Sequence, residues 1–268
     1  MKWGLRTDIR ALRVAAGLVA AGWLACAPIG CSKGSSGGWF EKKHTSQEWL
    51  DMALESQSAD DRRQAVIGLA KSRDGGADWA MKVYDTIART DSNMMVRCAA
   101  VHAMGPNSCS EQVPTLLKLL NSRTHHYEDV RPADGPLRWE SAKVLLVIID
   151  DYRYRDDQRP QIVQALLERV ARDDDRNVRL TAIDSLAYFA EEPIPSALVT
   201  AMEEDDFAVQ SAAEQALISL TGMTFHHDPK AWRYWLSQTR DPFEKAGQIP
   251  EGSQIVGRHR QWSWDWDF

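Results

Sequence analysis

The sequence predicts an all-α protein, an α-solenoid of about five helical hairpins closed by one C-terminal capping helix. Three observations predict it. One helical phrase recurs five times, its copies lie one hairpin apart, and the last helix carries a Trp-rich apolar face. The phrase starts as Arg62-x-x-Ala65-x-x-Gly68-Leu69 and returns as Val96-Arg97-x-x-Ala100-x-x-Ala103-Met104. It then reads Leu137-Arg138-x-x-Ser141-x-x-Val144-Leu145, Val178-Arg179-x-x-Ala182-x-x-Ser185-Leu186 and Val209-Gln210-x-x-Ala213-x-x-Ala216-Leu217. Between Arg62, Arg97, Arg138, Arg179 and Gln210 the steps are 35, 41, 41 and 31 residues. Two antiparallel helices with their turns need roughly 30–45. The small residues three and six places after the Arg share a face with the flanking apolar residues. Small side chains there let helices approach closely while Leu or Met fills the seam.

The elements follow in order. Ser46 to Ser56 is an outer helix with Trp49, Leu50, Ala53 and Leu54 on one stripe, and Asp60 to Lys71 is its inner partner. Ala77 to Arg89 pairs with Ser92 to Met104, and Glu111 to Leu120 with Pro136 to Ile149. Gln161 to Ala171 pairs with Asn177 to Phe189, and Pro195 to Glu203 with Phe207 to Leu220. Asp228-Pro229 opens the last helix, since Asp caps well and Pro suits the first helical position. Its Trp232, Trp235 and Leu236 make one apolar face, as a terminal unit must to close the core of a repeat array.

The phrase Asp-x-x-x-x-Val-Arg-x-x-Ala-x-x-Ala-Leu, closely matched by Asp91 to Met104 and Asp173 to Leu186, resembles the inner helix of the HEAT-repeat family, particularly its short bacterial members. The resemblance covers roughly residues 45–238. It implies inner helices lining a concave face and a polar ladder in which Asp before one helix meets Arg of another. With no Val before Arg62 and Gln210 replacing the fifth Arg, the ladder is expected to weaken at both ends. The resemblance says little about activity, because such arrays serve many functions.

The N-terminal stretch reads as an address. Lys2, Arg6, Arg10 and Arg13 precede a charge-free run from Val14 to Ala25. That run suits a signal-peptide core and is short for a membrane span. Pro28-Ile29-Gly30-Cys31, followed by a Gly/Ser spacer, resembles a bacterial lipoprotein processing site, which implies lipidation at Cys31. Pro28 departs from the Leu that such sites prefer, and Trp23-Leu24-Ala25-Cys26 is a weaker second candidate. A soluble secreted form and an uncleaved anchor remain alternatives. The expected organisation is therefore a signal peptide at 1–31, a flexible tether at 32–44, the repeat array at 45–238 and a Trp-rich tail at 239–268.

The chain carries a net charge of −6. Without residues 1–31, 28 basic residues face 37 acidic ones, a net of −9. An acidic chain with no basic cluster argues against nucleic acid, whose phosphates need a Lys/Arg footprint. Four cysteines are too few for a disulfide scaffold, although Cys98 and Cys109 could pair in an oxidising compartment. No Gly-rich phosphate loop, nucleophile elbow, His-Glu-x-x-His or Cys-x-x-Cys occurs. His125-His126, near Glu128 and Asp129, and His226-His227, before Asp228, are the pairs that could ligate a metal. A solvated loop for the first, and a turn and cap for the second, are the simpler readings. The chain thus reads as non-catalytic, with no cofactor and no metal. The acidic runs Asp173-Asp174-Asp175 and Glu203-Glu204-Asp205-Asp206 suit helix N-termini.

Residues one and five places after the repeated Arg lie opposite its packed face on a helix wheel. Trp139 and Leu180 are then exposed apolar groups, and His102, Lys143 and Asp184 are their polar neighbours. A Trp within a charged rim is the usual make-up of an interface hot spot, so these five residues are the expected protein-binding site. Trp139 tucked under the loop 121–135 is the structural alternative. The alternation Trp262-Ser263-Trp264-Asp265-Trp266-Asp267-Phe268 is strand-like. It fits a tail packed back on the array, an unordered tail or a docking peptide. The expected function is a scaffold that binds an envelope protein or peptide, tethered to the membrane by its lipid and facing the periplasm. The resemblance also admits a bilin-lyase-like enzyme, and a structural brace of a periplasmic assembly is a further alternative.

Overall fold

The computed structural model describes residues 44–250. The signal peptide, Cys26, Cys31, nearly all of the tether and the motif 262–268 lie outside them. The described residues are all-α, with no strand among them, and eleven α-helices follow the hairpin order. They are α1 (Ser46–Glu55), α2 (Ala59–Lys71), α3 (Asp78–Thr90), α4 (Met94–Met104), α5 (Val113–Asn121), α6 (Gly135–Asp150), α7 (Arg159–Arg172), α8 (Arg176–Leu186), α9 (Pro193–Ala201), α10 (Phe207–Thr221) and α11 (Pro229–Gln238). Each helix from α1 to α10 packs on its hairpin partner. The even helices α2 to α10 pack successively on one another, as do the odd helices α3 to α11. Among the described residues no helix is long and apolar enough to cross a membrane.

Helix starts are chemically marked. Thr45 and Glu48 form a reciprocal capping box on α1. Ser58, Asn93, Asp175, Asp206 and Asp228 each cap the following helix by accepting backbone N–H groups, which would otherwise lack intrahelical partners. The acidic runs therefore have a structural use at Asp175 and Asp206, as expected. The repeated phrase is the core. Leu69, Val96, Ala100, Met104, Leu137, Ser141, Leu145, Val178, Ala182, Ser185, Leu186, Val209, Ala213 and Leu217 are all fully buried. The hydroxyls of Ser141 and Ser185 donate to Leu137 O and Thr181 O, each at 2.8 Å, so their burial leaves no donor unmatched.

Gly68 explains why the first copy of the phrase carries glycine. A Cβ there would stand 2.4 Å from Cε2 of Trp49 on α1. Alanine is the better helix former by about 1 kcal/mol, yet overpacking costs about 1–3 kcal/mol. Gly68→Ala is therefore expected to lower the melting temperature. A rise on thermal denaturation would show that Trp49 can move aside.

The polar ladder differs from expectation. Arg62 makes a two-pronged contact with Asp91 at 2.8 and 2.9 Å, so the first rung is intact despite the altered phrase. Burial opposes ionisation of Asp91, but the Arg62 and Asn93 hydrogen bonds outweigh it and hold the carboxyl below its usual range. Arg138 grips Asp173 in the same way, at 3.0 and 2.9 Å, and Arg179 pairs with Glu204. The departure comes at Arg97, inside the array. It donates to the carbonyls of Ala88, Arg131 and Pro132 at 2.7–2.8 Å. Helix α3 supplies the Ala88 carbonyl and the long loop before α6 brings those of Arg131 and Pro132 to the guanidinium, where an acid was expected. Without a carboxylate beside it, burial lowers the Arg97 pKa. At the far end Gln210 donates to Glu204 O, so that rung is reduced to a backbone contact.

At the C-terminal end α11 packs on α9. Asp228 accepts from Lys230 N at 2.9 Å and Ala231 N at 3.1 Å. Trp232 is 0% exposed, edge-on to Phe225 at 4.8 Å and to Trp235 at 5.9 Å. Gly222 ends α10 with φ +68°, and a Cβ there would meet Lys245 O at 2.3 Å, so both its backbone and its neighbour require glycine. His227 Nδ1 lies 2.9 Å from the buried Glu214 carboxylate, which also accepts from Thr224 at 3.1 Å. The second histidine pair thus belongs to the turn that seats α11.

Candidate functional site

The site forms where α4 meets α6. His102 lies in the last turn of α4, and Glu140, Trp139 and Lys143 project from the second and third turns of α6. His102 Nδ1 lies 2.7 Å from Glu140 Oε1, and Lys143 Nζ lies 2.5 Å from Glu140 Oε2. The Lys143 ammonium also sits 4.5 Å from the centre of the Trp139 ring, within cation–π range. One carboxylate, 3% exposed, therefore joins two helices and fixes a lysine over a half-buried indole. Leu180 and Asp184 stand half-buried on α8, which packs on α6.

Two expectations need correction. His102 is buried, at 5% exposure, and Trp139 and Leu180 are half-buried. The wheel gives a side chain's direction but not what lies across from it. Every residue of α4 from Val96 to Met104 is buried, because α2, α3 and α6 all pack on it. Glu140 went unread. Its column of the phrase holds the exposed Gln64, the half-buried Ala212, and Ala99 on α4 and Thr181 on α8, both buried. A buried carboxylate needs a partner, but a column that begins on an exposed Gln64 does not by itself mark Glu140 as buried. Lys143 three residues on is a recognisable helical pair, whereas His102, 38 residues away, is not.

Cys98 lies one turn before His102 on α4. Burial, with Glu140 nearby, pushes its thiol up to about 12. It is thus a neutral thiol at ordinary pH and a poor nucleophile. Cys98 and Cys109 are both free, so the expected option of a disulfide between them is not taken.

The loop carrying His125-His126 is tied down. Arg131 donates to Thr90 O at 2.8 Å, Ser122 Oγ accepts from Ala133 N at 2.8 Å, and Lys118 binds Asp129 at 2.8 Å. A cavity of about 310 Å³ lies beside it, with Lys118, His125, Tyr127 and Glu168 in its lining. His125 Nε2 is 3.8 Å from Glu168 Oε2. Among the described residues no group of three or more His, Cys, Asp or Glu is spaced to hold a metal ion. No family model matches the chain, and no curated protein matches it.

Proposed function

We propose that this chain is a HEAT-like α-solenoid of the bacterial cell envelope, exported, anchored through lipid on Cys31, and non-catalytic. It captures an envelope protein or peptide on the face formed by its even-numbered helices. The successive packing of even on even and odd on odd helices supports the solenoid, as do the Arg–carboxylate rungs at Arg62, Arg138 and Arg179. One observation carries the binding site: Lys143 held between the Glu140 carboxylate and the Trp139 ring. An aromatic with a preset cation beside it presents apolar area and charge at small entropic cost. That combination is what concentrates binding energy in interface hot spots.

Crosslinking followed by mass spectrometry of the native membrane fraction tests the partner and the N-terminal lipid together. Trp139→Ala is expected to reduce partner capture at least about tenfold, a loss of at least about 1.4 kcal/mol. Thermal denaturation of the same variant is expected to stay near that of the parent. Unchanged capture would end this reading of the site, and a collapse of the fold would end it by placing Trp139 in the core.

A further inference from the structure

The described chain ends beside the proposed binding face. After α11 it turns back, Phe243 packs against the core, and Gly247 N–H donates to Ser219 O on α10 at 3.0 Å. This fastens the segment to the last even helix, and residues 251–268 follow. Asp265 lies 15 residues beyond Pro250 and is reachable over about 50 Å of extended chain. Two interhelical spacings, from α10 past α8 to α6, amount to only about 20 Å. The reach is ample.

Shape agrees along that path, and charge agrees at its start. Leaving α10, the face meets Asp184 on α8, then Lys143 on α6 and Arg63 on α2, all half-buried. The tail presents Arg258 and Arg260 first, then Asp265 and Asp267. Its Trp262, Trp264 and Trp266 alternate with polar residues, so an extended chain puts all three rings on one side. That apolar stripe matches Trp139 and Leu180, and Arg258 and Arg260, on the same side of an extended chain, meet Asp184 before it.

We propose that residues 251–268 are the intramolecular occupant of this face, with the three Trp rings over Trp139 and Leu180. The inference rests on the reading of that face as a binding surface, and it makes the tail a competitor of the partner. The test uses the full chain with the photoreactive aromatic benzoylphenylalanine in place of Trp264. Irradiation is expected to join it to peptides spanning 139–143 or 180–184 within one molecule, independently of concentration. Adducts on other helices, or adducts found solely between two molecules, would overturn the proposal. The full-length variant carrying Trp262→Ser, Trp264→Ser and Trp266→Ser is expected to capture partner several-fold better. Adducts elsewhere while Trp139→Ala still weakens capture would remove the tail as occupant and leave the proposed function standing. Adducts at α6 or α8 in a chain that captures nothing would do the reverse.

Discussion

Replacing Arg138 by Met lowers the unfolding free energy by about 3–5 kcal/mol, the usual loss when one partner of a buried ion pair is removed. Arg138 is 2% exposed and Asp173 is 5% exposed. The guanidinium donates to both oxygens of Asp173, to Ala133 O at 2.8 Å and to Asp174 at 2.7 Å. Burial works against its charge, yet Asp173 raises its pKa above the ordinary value. After the substitution Asp173 keeps the Asp175 N–H at 2.9 Å and a longer contact with Arg169 at 3.5 Å. Neither replaces two short charged bonds. Urea denaturation at constant m-value reads the loss. The double variant Arg138→Met, Asp173→Leu is expected to recover only part of it, because the uncompensated carboxylate is gone but the buried Arg169 then keeps Glu168, at 3.7 Å, as its acidic partner. A single-variant loss under about 1 kcal/mol would mean that Arg169 takes over the site.

Trp232→Ala is expected to cost a similar amount, about 3–5 kcal/mol, but to spend it at one end of the molecule. Trp232 supports Phe225 and Trp235, and α11 packs on α9. Where each unit touches only its neighbours, damage at a terminal unit stays local. Hydrogen exchange is expected to accelerate through α11 and residues 222–247 while α4 and α6 keep their protection. Uniform acceleration across the chain would show that the fold melts as one unit and that the cap is not a separable element. The indole Nε1 of Trp232 is buried without a hydrogen-bond partner, so Trp232→Phe removes an unsatisfied donor and is expected to lose much less than Trp232→Ala.

The helices themselves were legible. Each of the eleven starts within two residues of its expected position, because caps such as Asn93, Asp175 and Asp228 and the 3.6-residue period are local properties of the chain. The site was half legible. Trp139 and Lys143 could be placed on a common stretch of α6, but their fixing group Glu140 and its second partner His102 could not. Arg169 shows the same limit more sharply. It is 1% exposed and donates to Leu120 O at 3.1 Å and Thr124 Oγ1 at 3.3 Å, partners 49 and 45 residues away. Nothing in the phrase marks it, since it lies on an odd helix outside the repeat signature.

The sequence by itself determined where each helix begins to within two residues, which residues of the phrase are core, and that Asp228 caps the last helix while Trp232 lies on its buried face. Those outcomes depend on spacing within a dozen residues. Only the tertiary structure decided that Arg97 is answered by three carbonyls, that the Arg62 rung survives, and that His102 is buried against Glu140. Each depends on how far one helix is shifted along its neighbour. That shift is set by side chains packing across the interface and by the length and path of the intervening loop, which local spacing does not encode.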